Sequence, residues 1–271
     1  MLSINTNSSA MAAVQMFNSA SNDLSQVQKR ISTGLKVADG FDDASTFAVA
    51  QRLRADIQAF DKIDQSINGV KGAVEVGMAG ATAVSDLVGS IREKVTQLAD
   101  DSISAETRAS YTEDLNSMLA QVDSFISNSN FDGTNLLETG ASDLSFVAAA
   151  DGSTMTVSAS DLETAKGTLD GAVDVSDAAN ARTTLAALDT FESAVNSAIS
   201  SLGSDGKALD AHSDFVGKLS DATEKGLGNL VDADLAEEAS RQTALQVKQQ
   251  LAVQALSTAS SSATNIISLF R

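Results

Sequence analysis

The sequence predicts a mainly α-helical protein: a long antiparallel helical rod, a terminal two-helix coiled coil and one small β-hairpin element. Three observations carry that reading. Apolar residues recur in steps of three and four over long stretches, 43 % of the residues are hydrophobic while only 4 % are aromatic, and proline is absent. A proline inside a helix removes a donor and clashes with the preceding turn, so a chain without any permits very long helices. The apolar content is Ala, Leu, Val and Ile, which suits helices in close contact better than a thick globular core.

Near the N-terminus, Ala10, Ala13, Phe17, Ala20, Leu24, Val27 and Ile31 alternate steps of three and four. Near the C-terminus, Ala252, Leu256, Ala259, Ala263, Ile266 and Phe270 do the same. Each is a narrow coiled-coil seam, made for one partner helix. Matching seams at the two ends predict that they pair. Between them runs a longer series: Leu53, Ile57, Phe60, Ile63, Ile67, Val70, Val74, Met78, Ala81, Val84, Val88, Ile91, Val95 and Leu98. A single helix over that span is roughly 68 Å long. Gly69, Gly72, Gly77 and Gly80 interrupt it, each costing up to about 1 kcal/mol against Ala. They are expected where a neighbouring backbone comes close.

Asp100-Asp101-Ser102 marks a break, and Ser104 with Glu106 behind it is a helix start. Tyr111, Leu115, Met118, Val122 and Phe125 form the next stripe, and Leu185, Leu188, Val195, Ile199, Leu202, Leu209, Val216 and Leu219 form a third. The stretch from 130 to 175 reads differently. Residues 144–150 and 153–159 flank Asp151-Gly152, a two-residue hairpin signal. Gly167, Gly171 and several Asp and Ser residues then suggest a polar return loop.

Charge and residue types narrow the function. With 36 acidic and 18 basic residues the chain carries −18, which repels phosphate backbones and anionic lipid, so neither nucleic acid nor membrane is an expected partner. No run of about 18 apolar residues is present, and Met1 to Asn7 lack the basic and apolar regions of a secretory signal. Zero cysteines exclude thiol chemistry. His212, the sole histidine, has no companions for a triad or a multi-His zinc site, and is expected on a helix surface or at a helix contact. Adjacent acids such as Asp42-Asp43, Asp100-Asp101 and Glu237-Glu238 diverge by about 100° on a helix rather than converging as acid and base. Asp132-Gly133 and Asp151-Gly152 lack the ligand spacing of a calcium loop. No catalytic, metal or cofactor site is expected, and no enzyme.

The chain ends carry motifs beyond periodicity. Ser3-Ile4-Asn5-Thr6-Asn7, Gln28-Lys29-Arg30-Ile31-Ser32-Thr33-Gly34-Leu35-Lys36, Asp42-Asp43-Ala44 and Ala48-Val49-Ala50-Gln51 resemble the N-terminal region of bacterial flagellins in order and spacing. Residues Asp232 to Glu238, Leu245 to Leu251 and the ending Ile267-Ser268-Leu269-Phe270-Arg271 are similar to the flagellin C-terminus. Asn130 to Leu137 resembles the start of that family's β-hairpin.

The resemblance implies a short flagellin without variable outer domains, a secreted subunit of the extracellular flagellar filament. It implies residues 1–45 and 227–271 as the two halves of an inner coiled-coil domain with its spoke, and 46–226 as an outer helical rod domain with a hairpin near 130–160. The two terminal seams above would be the self-assembly helices, ordering as copies polymerise. The rod core would include Leu53, Ile57, Ile67, Val74, Ile91, Leu98, Leu115, Val122, Leu188 and Ile199. Implied partners are further copies of the chain, hook-associated junction and cap proteins, an export chaperone and the type III export apparatus. Ser142, Thr154 and Thr168 are candidates for O-linked glycans, against a plain reading as solvated turn residues. A hook–filament junction protein of the same axial family is the alternative; a lipid- or granule-coating protein fits the acidic surfaces and narrow seams less well. Two departures stand out. Gly40 to Phe47 is bulkier and more polar than the family's small residues, and Asp205, Gly206 and Lys207 replace Gln-Asn-Arg, which weakens the case for one unbroken helix there.

Overall fold

The computed structural model describes residues 7–268, with side-chain surroundings given through residue 261. Among the described residues the order is α1 (Ser8–Thr33), α2 (Ala44–Leu98), α3 (Ala105–Asn128), β1 (Asn130–Phe131), β2 (Thr134–Asn135), β3 (Leu144–Val147), β4 (Thr154–Val157), α4 (Leu162–Ala172), α5 (Ala178–Val231) and α6 (Leu235–Ser268). The chain divides into two compact units: Met1–Ile57 with Ala222–Arg271, and Gln58–Asp221.

In the second unit, α2, α3 and α5 share one core. The α2 stripe from Ile67 through Val74, Val84, Val88, Ile91 and Val95 to Leu98 is buried, facing Leu115, Leu119, Val122 and Ile126 of α3 and Leu188, Phe191, Val195, Leu202 and Leu209 of α5. Lys94 meets Asp114 and Leu98 meets Arg108, while Lys71 meets Asp210 and Arg92 meets Asp189, so α3 and α5 both run antiparallel to α2. One window of α2 is long and apolar enough, at mean hydropathy 1.2, to cross a membrane on composition alone; its stripe here is spent on this core.

The turn after α2 is capped from both sides. Ser104 Oγ accepts from Thr107 N at 3.1 Å, as an N-cap should. The Arg108 guanidinium donates to Leu98 O at 2.5 Å and Asp100 O at 3.1 Å, satisfying carbonyls that the end of α2 leaves without helical partners.

Four features differ from the sequence reading. First, two hairpins stand where one was expected. The first, β1–β2, turns at Asp132 (φ 50°) and Gly133 (φ 82°), the left-handed pair of a type I′ turn. In the second, β3–β4, Ala148 N donates to Ser153 O at 2.8 Å and Gly152 N to Ala149 O at 3.0 Å, so the turn centres on Ala150-Asp151, one residue before the expected Asp151-Gly152. Second, the expected return loop is α4. Asp161 Oδ1 caps it by accepting from Thr164 N at 2.8 Å, and Leu162, Lys166 and Leu169 are its buried face. Third, α5 runs unbroken through Asp205, Gly206 and Lys207. Fourth, α2 starts at Ala44, before the apolar series begins.

The α2 glycines also have a different cause from a close backbone. A Cβ at Gly72 would lie 2.6 Å from the Phe131 ring, and one at Gly80 would collide with Ser129 Oγ and lie 2.8 Å from its Cβ. Side chains at the start of the first hairpin, not a backbone, fill those notches.

Candidate self-assembly surface

In the first unit α1 and α6 lie antiparallel. Asn7 Nδ2 donates to Ala259 O at 3.0 Å at one end, and Arg30 Nη1 donates to Glu238 Oε1 at 3.0 Å at the other. On α1 the buried residues are Ala13, Ala20 and Val27, every seventh position, with Ala10, Phe17, Leu24 and Ile31 half-buried between them. On α6 the matching buried positions are Glu238, Leu245 and Ala252, with Leu256 and Ala259 half-buried. That is a coiled-coil seam in which small residues let two backbones approach. The side chains of Ala263 and Ile266, and Phe270 altogether, lie outside the described residues.

Sequence reasoning missed the first half of the α6 seam. Glu238 holds a buried seam position as one side of an ion pair, and Gln242 and Gln249 are half-buried beside it. An apolar count passes over such positions; the signal was the seven-residue step from Ala252 back to Leu245 and Glu238.

Gly34 (φ 72°) ends α1 in the left-handed conformation and donates to Arg30 O. The chain then pairs briefly with the end of α5: Lys36 N donates to Val231 O at 2.6 Å and Ala233 N to Gly34 O at 2.9 Å. Val37, Ala50 and Val231 form a small core there, with Leu35, Phe47 and Leu227 against it. The next loop is held by carboxylates. Asp39 Oδ1 accepts from Phe41 N (2.8 Å) and Asp42 N (3.2 Å), and Asp42 Oδ2 accepts from Ala38 N (3.0 Å). Lys29 Nζ donates to both carboxylates, at 2.7 and 3.1 Å. Lys29, and then the loop amides, hold Asp39 and Asp42 below the usual aspartate value, and the same bonds raise Lys29.

Around these small cores the unit also exposes large apolar side chains among its polar and charged ones. Met11, Val14, Met16, Phe41, Val49, Leu230, Leu235, Val247, Leu251 and Val253 are exposed. Among the described residues they are ten of the thirteen exposed large hydrophobic residues; Phe131, Val147 and Phe215 are the three in the second unit.

Of the expected rod-core residues, Ile67, Val74, Ile91, Leu98, Leu115, Val122 and Leu188 are buried in the second unit, and Ile199 is half-buried. Leu53 and Ile57 are half-buried and belong to the first unit. The buried face of α5 instead includes Phe191 and Thr184, whose Oγ1 donates to Asp174 O at 2.9 Å. His212 touches the second hairpin: its Nε2 lies 2.7 Å from Ala148 O. Ser142, Thr154 and Thr168 are exposed.

The whole length of the chain matches known sequences. The model of the bacterial flagellin N-terminal helical region covers residues 4–142, and that of the bacterial flagellin C-terminal helical region covers 185–270. A flagellin of Caulobacter vibrioides is 38 % identical over 269 residues, 99 % of this chain and 98 % of that protein. The chain belongs to the bacterial flagellin family. It is therefore a structural subunit of the flagellar filament, polymerising with copies of itself, and not an enzyme. Solved structures agree in fold. Bacillus cereus flagellin aligns with TM-score 0.51 at 24 % identity, covering 56 % of this chain and 88 % of that one. A putative flagellar hook-associated protein from Vibrio parahaemolyticus aligns with TM-score 0.60 at 17 % identity, covering 70 % of this flagellin and all of that chain. At such identities both likenesses show the fold alone.

Proposed function

We propose that the α1–α6 pair is the element through which this flagellin builds a filament, as an inner coiled-coil domain whose outer surface is completed by neighbouring copies. One observation carries the reading: among the described residues, exposed large apolar side chains concentrate on the first unit, ten against three in the second. Uncovered apolar surface on that scale marks an interface. The seam itself is narrow and rich in alanine, so the pair alone recovers little of the entropy of ordering two long helices. Covering Met11, Met16, Leu251 and Val253 supplies the rest at roughly 25 cal/mol per Å² of apolar area. On this account the terminal helices order fully as the subunit joins the filament.

The same reading carries the finer assignments. Residues 1–45 and 227–271 serve as inner domain and spoke, and 46–226 as the outer domain. The subunit works outside the cell after passage through a type III export apparatus with its chaperone, and it meets hook-associated junction and cap proteins at the filament ends. Ser142, Thr154 and Thr168 are accessible positions for O-linked sugars, which intact-protein mass would reveal. A junction role shares the paired terminal helices; near-full-length identity to a flagellin favours the filament.

The test is seeded growth. Purified monomer with sheared filament seeds is expected to give long uniform filaments in negative-stain electron microscopy, and a variant ending at Asn229, without α6, to give none. A full chain that stays monomeric under those conditions contradicts the proposal.

A further inference from the structure

We infer that Phe41 is a knob which docks, in the filament, into the apolar pocket between α2 and the β3–β4 hairpin of a second copy of the chain. The inference rests on the self-assembly reading and adds a specific contact to it.

Phe41 is 101 % exposed, so it touches nothing of its own chain. A phenyl ring in water normally belongs to a mobile loop. This one stands on a loop fastened by Asp39, Asp42 and Lys29 through the bonds given above. The backbone that carries the ring is thus held, which lowers the ordering cost of docking. Large aromatic side chains on constrained loops are the usual anchors of protein contacts.

A receiving site exists on the same chain. Ala59, Lys62 and Ile63 of α2 and Val147, Ala149 and Ala150 of the hairpin line a pocket of about 360 Å³, near the lower end of ligand-sized cavities. Val147 on its wall is itself exposed. Charge selects the occupant. Asp39 and Asp42 are taken by Lys29, but Asp43, two residues after Phe41, meets no cation at ion-pair distance among the described residues, whereas the pocket carries Lys62, whose Nζ donates to Gln65 at 3.0 Å and likewise meets no carboxylate at ion-pair distance. Asp43 beside the aromatic tip and Lys62 at the α2 edge of the pocket are complementary, and an ammonium beside a docked ring adds a cation–π contact. A knob and a hole at different places on one chain form a heterologous contact, which repeats into an open-ended polymer.

The chain lacks both tryptophan and cysteine, which makes the test direct. In Phe41→Trp the only indole should emit as a water-exposed ring in the monomer. On seeded polymerisation it should shift to the blue and resist acrylamide quenching. Filaments that form normally with unshifted, quenchable emission overturn the inference and leave self-assembly standing; failure of the unaltered chain to polymerise overturns the reading beneath it. The pocket is tested by pairing Phe41→Cys with Ala150→Cys in one chain. Oxidised filaments should give a ladder of disulfide-linked multimers on a denaturing gel, and oxidised monomer should not. Filaments without a ladder overturn the pocket assignment. Phe41→Ser should raise the monomer concentration needed for growth by roughly tenfold or more, with unchanged thermal unfolding of the free monomer.

Discussion

Arg30 on α1 and Glu238 on α6 form an ion pair of 3.0 Å between residues 208 positions apart. Glu238 is buried on the α6 seam and Arg30, half-buried, flanks the α1 seam, and the contact is single-pronged: Arg30 Nε and Glu238 Oε2 are buried without a partner. Truncating one side leaves the other a partly buried charge without its partner. Glu238→Ala is expected to weaken the helix pair by about 1–3 kcal/mol, read as a lower temperature of filament depolymerisation. Replacing both, as Arg30→Met with Glu238→Leu, should recover much of the loss, since a buried pair and its apolar substitute are often near equal. An unchanged depolymerisation temperature for the single variant would contradict this role.

The α2 glycines separate into two kinds. A Cβ at Gly80 has no room beside Ser129 and Leu137, whereas one at Gly69 or Gly89 meets nothing within 4 Å. Gly80→Ala should therefore destabilise the monomer by about 1–3 kcal/mol through overpacking. Gly69→Ala and Gly89→Ala should stabilise it by up to about 1 kcal/mol through helix propensity. Thermal melts followed by circular dichroism read all three, and a uniform sign across them would contradict the packing account.

That contrast shows what the sequence alone reveals. Long three-and-four stripes made α1, α2, α3 and much of α5 legible, because burial by one partner leaves a period in the residues. The same reasoning passed over α4, where Lys166 holds a buried position and Gly167 and Gly171 look like loop. Burial alone would lower the Lys166 pKa, but its 2.6 Å bonds to Asp123 and Asp170 outweigh that and raise it. Glu238 was hidden in the same way. A buried charge breaks the apolar count even where its spacing fits the stripe, and a glycine whose notch is filled by a residue such as Phe131 or Ser129 leaves no local trace.

The Phe41 loop should depend on pH in one direction. Asp39 and Asp42 titrate below 3.8 in the folded chain because Lys29 and the loop amides favour their charged forms. A lowered folded value means that the stability it brings is complete above 3.8 and is lost as pH falls through the depressed values. The Ala38, Phe41 and Asp42 amide resonances should hold their positions from neutral pH to about pH 5 and move toward unstructured values below about pH 3. Lys29→Met should produce the same change at neutral pH. Resonances that stay put in acid would mean that the carboxylates do not hold the loop.

His212 anchors the second hairpin to α5 through Ala148 O. His212→Ala should cost about 1 kcal/mol and speed amide exchange in β3 and β4 without affecting β1 and β2. Equal effects on both hairpins would point to general loosening of the second unit.

Hydrogen exchange on monomer and filament tests the central claim most directly. If neighbouring copies complete the first unit, amides of α1 and α6 exchange fast in the monomer and become strongly protected in the filament. Those of the α2 core from Ile67 to Leu98 and of α3 stay protected in both. Equal protection of α1 and α6 in monomer and filament would mean that the pair is complete before assembly, and would contradict the account.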